Sequence, residues 1–458
     1  MSITGAARRL SKAQPSSRVG LQHALRHRQR EPRGLERRCT RVSGPLQLAA
    51  HGEQSPAVNA LRVYYFASYA GLGAVMPLLA LAMQARGFRP SQYAWLMALI
   101  PLSRLFAPPL WGLLADRWFG TIKLLRVNTA LAASAMVVLA FSEHIVPTVA
   151  AFSLWALTSS SLSPLADAGA YRLLGASSTG FAYVRVFGSI GFAVSAFLLS
   201  VLGVDPALRI PFMVAACTYL ASSVTAGRLY EGPPPTRAPL LPAVRLLARR
   251  PDALLLWLGS AFYYLGHGAF DAYFGPYART LPGVRAETVS MGWAIGVTSE
   301  VVVLWFVPRL LVGRLRRGVL IGAAAVAALR WWLISEASTP LALWFQQPLH
   351  AITFGVWYLA FIHENQARTD DSIRATVQGV AVACMGLGMI SATLLGGYVL
   401  EALGGRVLFR LASGAALLAL VCYLLRHRLI VASETRATLR TTLGGSHDNA
   451  LASSGGET

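Results

Sequence analysis

The residues of this chain best able to do chemistry are ionisable groups set inside long apolar runs: Asp167, Arg185, His267, Asp271, Glu300, Arg330 and His350. A charge in a lipid-spanning segment costs about 2.5–3.5 kcal/mol on insertion scales, so each implies a function. Glu300, Arg330 and His350 fall in three successive runs. An acid, a permanent cation and a titratable imidazole on neighbouring elements can form a proton relay. They can equally form a satisfied triad that only holds helices together. Asp167 ends one run and Arg185 opens the next; the pair reads as solute contacts or as a structural ion pair closing one side. His267 and Asp271 are four residues apart and share a helix face, as a second proton site or as solute contacts. Asp271 also reads as a solvated group near a surface.

The elements that must position these groups are apolar helices. The chain is 458 residues long, 55% hydrophobic and only 13% charged, where soluble domains carry about 25% charged residues. A lipid-facing surface accounts for that deficit. A spanning helix needs about 20 mainly apolar residues. The spans expected are 61–85, 92–115, 122–142, 147–168, 184–203, 210–229, 253–278, 288–311, 317–336, 340–362, 374–402 and 406–428. Backbone groups in lipid must bond within their own segment, so runs of this length are helices and not strands. The fold class expected is therefore an all-α integral membrane protein. It has about twelve transmembrane helices in two six-helix bundles, with a central cavity between them.

The longest polar interruption, 230–252, holds Pro233, Pro234 and Pro235 and reads as a cytoplasmic linker. It separates bundles at 61–229 and 253–428 and leaves tails at 1–60 and 429–458, both expected to be disordered. The loops after spans two, six and eight concentrate positive charge: Arg117, Lys123 and Arg126; Arg228, Arg237, Arg245, Arg249 and Arg250; Arg309, Arg314, Arg316 and Arg317. The opposite loops hold fewer, namely Arg86, Arg89, Arg209, Arg279, Arg285 and Arg406. Positive charge stays on the cytoplasmic side. The expectation is a multi-pass protein of the cell inner (plasma) membrane with both termini cytoplasmic.

Residues 1–60 hold eleven basic and three acidic residues, but no aromatic interleaving points to nucleic acid. They also lack the apolar stretch of a signal peptide, and a start codon assigned too early is the other reading. The cysteines Cys39, Cys217, Cys384 and Cys422 are scattered, without metal spacing or a disulfide framework. No metal or cofactor is expected. Gly386, Gly388, Gly396 and Gly397, with Pro77, Pro101, Pro108 and Pro109, suit close helix packing and kinks. Among the aromatics, Tyr64 and Trp293 are candidate cavity residues; Tyr65, Tyr69, Tyr263, Tyr264 and Trp357 read as packing or interfacial rings.

Between spans two and three runs Gly112-Leu113-Leu114-Ala115-Asp116-Arg117-Trp118-Phe119-Gly120, followed by Lys123. This resembles the loop signature of the major facilitator superfamily. The resemblance implies a conformational gate, with Gly112 allowing close helix approach, Asp116 capping or pairing, and Arg117 and Lys123 anchoring. The corresponding loop of the second half, 312–318, has no acid.

The stretch Tyr183-Val184-Arg185-Val186-Phe187-Gly188-Ser189-Ile190-Gly191-Phe192 resembles span five of the lactose permease and its relatives. That resemblance places Asp167, Arg185 and Phe192 on the solute, Phe192 standing where those relatives carry Trp. The order Glu300, Arg330, His350 again resembles that branch, but Thr353 and Gln347 replace its acid and lysine beside the histidine. Further segments resemble the phenylpropionate permease group: Tyr64 with Gly71 and Pro77, Pro164–Asp167, Gly292–Glu300, Leu329-Arg330-Trp331, Gln347–Gly355 and Ala375–Gly379. The resemblance covers roughly 61–428. It implies proton-coupled symport of a small organic solute (an aromatic or other organic acid, a sugar or a nucleoside) by a monomer in a lipid bilayer. The pH gradient would supply the drive. A proton-driven exporter of drugs or metabolites fits the same scaffold, and so does a non-transporting membrane sensor. A polar-lined cleft between the halves would speak against the sensor.

Overall fold

A computed structural model describes residues 56–174, 178–204, 209–229, 250–310, 315–366 and 374–453. Its description excludes the side chains of 108, 109, 116, 172, 178–180, 182, 304–310, 315–317, 366, 374–376 and 437–453. The tail at 1–55, the linker stretch 230–249, the loop at 311–314, the Asp116 carboxylate and the rings of Pro108 and Pro109 therefore lie outside the described residues. So do the side chains of Arg309, Arg316, Arg317 and Thr376.

The described residues form helices joined by short turns, without a strand. Proline opens four of the helices, where its missing N–H has no intrahelical partner to lose: α1 (Pro56–Val75), α3 (Pro90–Leu114), α9 (Pro251–Ala278) and α12 (Pro340–Phe345). Between α1 and α3 lies α2 (Leu79–Ala85). The first half continues with α4 (Thr121–Phe141), α5 (Ile145–Ser159), α6 (Leu162–Leu174), α7 (Ser178–Val201) and α8 (Ile210–Ala226). After α9 come α10 (Ala286–Leu310), α11 (Leu315–Glu336), α12, α13 (Trp357–Gln366) and α14 (Arg374–Ser453). α14 is two arms meeting at Gly404, whose φ of 81° and ψ of 167° break the helix there.

Three expected spans are broken where the sequence interferes with regular helix. Pro77 stands in the turn between α1 and α2. The run Thr158-Ser159-Ser160-Ser161 turns its hydroxyls onto backbone carbonyls three or four residues back, and α5 ends there. The expected span 340–362 is α12, a 3-10 turn at Gln347–Leu349 around Pro348, a π-helical stretch at Ala351–Val356, and α13. At the other extreme, α14 continues through most of the tail expected to be disordered from 429. No proline interrupts that stretch, and Ala, Leu and Arg favour helix. The first helix likewise begins at Pro56 and not at 61.

Six helices among the described residues are long and apolar enough to cross a bilayer by length and composition, or seven if the bent pair around Pro108 counts as one. α9, with His267 and Asp271, and α10, with Glu300, are not among them. Large apolar side chains face outward along the helices, Leu387, Leu395 and Tyr398 on one arm of α14 and Leu411, Leu418 and Val421 on the other. Such a contiguous apolar exterior belongs in lipid.

Within the first half α1 packs on α7 and α8, α4 on α5 and α8, and α3 on α5. Within the second half α9 and α11 pack on α14, and α10 packs on the 3-10 and π-helical turns. The halves meet chiefly along two seams, α7 against α10 and α3 against α14, and α2 also touches α9. The crossing that carries the first-half site is set by glycine. A Cβ on Gly73 would strike the Phe192 backbone, and one on Gly191 the Phe66 carbonyl, so α1 and α7 touch main chain to main chain. Gly388, Gly396 and Gly397 are similarly tight, against Ala261, Tyr273 and the start of α3. Gly386 and Gly112 are not: among the described residues, a side chain at either would meet nothing within 4 Å.

Candidate functional site

In the first half, the break before α6 puts Ser163 and Asp167 on one helical face, four residues apart. Opposite them α1 presents Tyr65 and Tyr69, also four apart. Tyr65 donates to Asp167 Oδ1 at 2.5 Å, and Ser163 Oγ donates to Oδ2 at 3.2 Å. Tyr69 donates to Ser163 Oγ at 3.1 Å, and its own oxygen accepts from Arg185 Nη2 on α7. The Arg185 guanidinium also lies 4.3 Å from the centre of the Tyr69 ring. A Cβ on Gly188, one turn along, would enter that stack. Asp167 and Arg185 are thus brought together, but through Tyr69 and Ser163, with no direct ion pair among the described residues. Tyr65 and Tyr69, expected from the sequence as packing or interfacial rings, belong to the site. Their spacing of four at the depth of Asp167 was the available signal.

In the second half, Arg330 of α11 is fully buried. Its Nε donates to Gln346 Oε1 at 3.0 Å, Nη2 to Gln347 Oε1 at 3.1 Å, and Nη1 to Thr353 Oγ1 at 2.9 Å and His350 Nδ1 at 3.1 Å. The guanidinium lies 4.6 Å from the Phe270 ring centre and 4.7 Å from that of Trp331. The irregular turns around Pro348 aim these four partners at one point. Arginine can only donate, so His350 Nδ1 must be unprotonated and its ring proton sits on Nε2. That nitrogen faces Glu300 Oε2 on α10 at 3.8 Å. Glu300, Arg330 and His350 are therefore brought together as their order on three spans suggested. The arginine contacts the histidine, and the acid lies on the histidine's far side.

His267 is buried against α11 and the π-helical turn. Its Nε2 lies 2.9 Å from the Thr353 carbonyl, which also accepts from Tyr263 at 2.6 Å. A π turn displaces its carbonyls from the regular ladder, which is how Thr353 comes to accept two side-chain donors. His267 is thus a bonded group inside the bundle, apart from Asp271, which makes no hydrogen bond or ion pair among the described residues. Phe192 lies at the α7–α10 seam with its ring 5.8 Å from that of Trp293, which reaches Phe270 at 5.0 Å. The Tyr64 hydroxyl is buried without a partner. In the π-helical stretch after α3, Ala115–Phe119, Arg117 is exposed, and Lys123 in the first turn of α4 places its Nζ 5.8 Å from the Phe119 ring centre.

The two clusters face each other. Arg185 and Glu300 interact electrostatically across the α7–α10 seam, and Tyr358 of α13 interacts with Asp167 and Arg185. The halves touch at one end through Ser200 Oγ to the Glu287 carbonyl at 2.7 Å and through the Ser91 N–H to Glu401 at 3.1 Å.

Residues 58–411 match the MFS_1 like family. The maltose permease of Geobacillus stearothermophilus is 28% identical over 347 residues, covering 74% of this chain and 86% of the permease. A putative nucleoside transporter of Escherichia coli (strain K12), YegT, is 24% identical over 349 residues, covering 69% and 78%. The crystal structure of the nucleoside transporter NupG superposes with a TM-score of 0.68 at 16% identity, over 81% of this chain and 99% of that one.

Proposed function

The chain belongs to the MFS_1 like family and is a membrane transporter of that type, and from that premise we propose that it is a proton-coupled symporter. It carries a small organic solute inward by alternating access, through twelve crossings in two bundles, 61–229 and 253–428. The loops rich in Arg and Lys lie in the cytoplasm and the chain in the plasma membrane. The proposed branch is that of the phenylpropionate and lactose permease-like symporters, and sugar, nucleoside and organic acid are the candidate solutes.

One observation carries the coupling: Glu300 is buried at mid-helix with His350 Nε2 3.8 Å away. The Nδ1 of that histidine is held by Arg330. A second proton on His350 would break the Arg330 bond, so Glu300 is the acid free to take and release one. Ionised, it attracts Arg185 on the other half and helps hold the α7–α10 seam. Protonated, it no longer does. An equilibrium between two conformers shifts on a few kcal/mol, so loss of this attraction biases it.

The test is uptake of a metabolite panel into proteoliposomes under an imposed pH gradient. Wild type accumulates its solute, and accumulation vanishes when the gradient is collapsed. Glu300→Gln abolishes accumulation but spares exchange of solute across the membrane at equilibrium. Uphill uptake that survives either the collapse or the substitution would falsify the reading.

A further inference from the structure

The clusters described above spend most of their polar groups on one another. Four groups facing the cleft do not, and one of them, Arg104, lies in α3 where neither the loop signature nor the charged triad drew attention. Trp95, Leu102, Phe106 and Leu113 of α3 are exposed at 60%, 39%, 65% and 36% and recur at spacings of seven and four. They form one stripe, the lipid face. Arg104 is also exposed, yet it is nine residues from Trp95, about two and a half turns at 3.6 residues per turn, and so points the opposite way. Its own face holds Tyr93, Met97 and Ile100, all buried. Tyr93 packs against Tyr273 of α9 with ring centres 5.9 Å apart. The face of α3 turned toward the second half is therefore covered as far as Ile100 and uncovered at Arg104. A helix with two separately exposed faces has lipid on one and a water-filled cleft on the other.

Across that cleft Arg104 interacts electrostatically with Asp271 and Tyr264 of α9. No hydrogen bond or ion pair within the described residues engages Arg104, Asp271 or the Tyr264 hydroxyl. The Tyr358 hydroxyl on α13 is equally unengaged. Beside it, Phe354 is 37% exposed and stacks parallel to His350 and Tyr358, with centres 5.3 Å and 6.4 Å away. Unspent donors and acceptors beside an apolar wall make up a small-molecule site.

We propose that Arg104 and Asp271 clamp the solute from opposite halves, and that the solute is an uncharged ring bearing neighbouring hydroxyls. The proposal rests on the chain being a solute transporter and names the polar contacts of that site. The clamp carries one positive and one negative charge, so a net ion gains at one end what it loses at the other. A hydroxyl both accepts from a guanidinium and donates to a carboxylate, and two adjacent ones satisfy both sides at once. The ring face lies on Phe354. Because α3 and α9 belong to different halves, a solute held by both draws the open end of the cleft together.

The test is equilibrium binding to the full-length protein in nanodiscs with no pH gradient, so that its outcome does not depend on proton coupling. The probes are maltose, uridine, the zwitterion alanylalanine and the anion phenylpropionate. Maltose or uridine binds wild type; the anion binds more weakly because it matches one end only, and alanylalanine, which matches both charges, binds more weakly because it has no ring to lie on Phe354. Arg104→Gln and Asp271→Asn each weaken binding by about tenfold or more, the effect of one charged hydrogen bond, and leave the ligand-free melting temperature unchanged. The swap Arg104→Asp with Asp271→Arg does not restore binding. Three results overturn the proposal. Neither hydroxylated probe binds wild type, or either single variant loses less than this, or the swap restores binding, which would make the pair a bridge between halves and not a clamp on the solute.

Discussion

Each half of the candidate site sets an arginine near an acid, Arg185 with Asp167 and Arg330 with Glu300, and the two pairs are wired differently. Arg185 is half-buried and reaches Asp167 through the hydroxyls of Tyr69 and Ser163. Arg330 is wholly buried and locked by Gln346, Gln347, His350 and Thr353, with Glu300 reached only through the imidazole. A hydroxyl can rotate and exchange partners; a guanidinium fork with every partner in place cannot move without breaking several bonds at once. The first half is therefore the adaptable side of the cleft, and the second is a fixed frame around a single acid whose charge can change.

The largest expected effect sets the two arginines against each other. Arg330→Lys keeps the charge but loses the fork, leaving at least one of its four buried acceptors unmatched at about 1–3 kcal/mol. The melting temperature should fall by several degrees, and transport should be lost. Arg185→Lys still offers a mobile ammonium to Tyr69, and should cost about 1 kcal/mol with reduced but measurable transport. Equal losses in both variants, read by thermal unfolding and by solute exchange, would erase the distinction between frame and adaptable side.

That asymmetry was only partly legible in the sequence. Glu300, Arg330 and His350 stood out because each interrupts an apolar run, and ionisable groups in lipid need a partner. Their order on three successive spans was enough to place them together. Which of them touch depends on the turns around Pro348, and the acceptor that Thr353 offers His267 and Tyr263 is a backbone carbonyl, which every residue carries and no sequence marks. Tyr65 and Tyr69 hid because tyrosine in an apolar run serves packing as well as hydrogen bonding. Their role depends on the depth of α1 against α6 and α7, and contacts at Gly73 and Gly191 set the α1–α7 crossing. Arg104 sits near Pro108 and Pro109, toward the basic end of its span, where arginine is ordinary. Only its position opposite the lipid-facing stripe singles it out. The helix through 429–453 hid behind a composition rich in charge and small residues.

A smaller effect separates the roles of the hydroxyls. Tyr69→Phe removes the acceptor of Arg185 and the donor to Ser163 while keeping the ring under the guanidinium. Two hydrogen bonds at about 0.5–1.5 kcal/mol each predict roughly tenfold weaker solute exchange. The protein should still fold, because Asp167 keeps Tyr65 and Ser163. An unchanged exchange rate would mean that the first half is as rigid as the second and that Tyr69 only packs.

The smallest effect lies where the halves touch at their far end. Arg89 and Glu401 approach to 3.9 Å with side chains 70% and 34% exposed, a pair worth about 0–1 kcal/mol at most. The same carboxylate accepts the Ser91 N–H at 3.1 Å, and Ser91 lies in the first turn of α3, where backbone donors have no intrahelical partner. Glu401 thus caps a helix of the opposite half, and the neighbouring arginine adds little. Arg89→Ala should change the transport rate by less than about twofold, whereas Glu401→Ala removes the cap and should loosen the α3–α14 seam. Cysteine labelling at Tyr93→Cys, buried beneath that seam, reads the difference: labelling rises with Glu401→Ala and stays at the control level with Arg89→Ala. If Arg89→Ala opened the seam as much, the exposed pair and not the cap would hold that end shut.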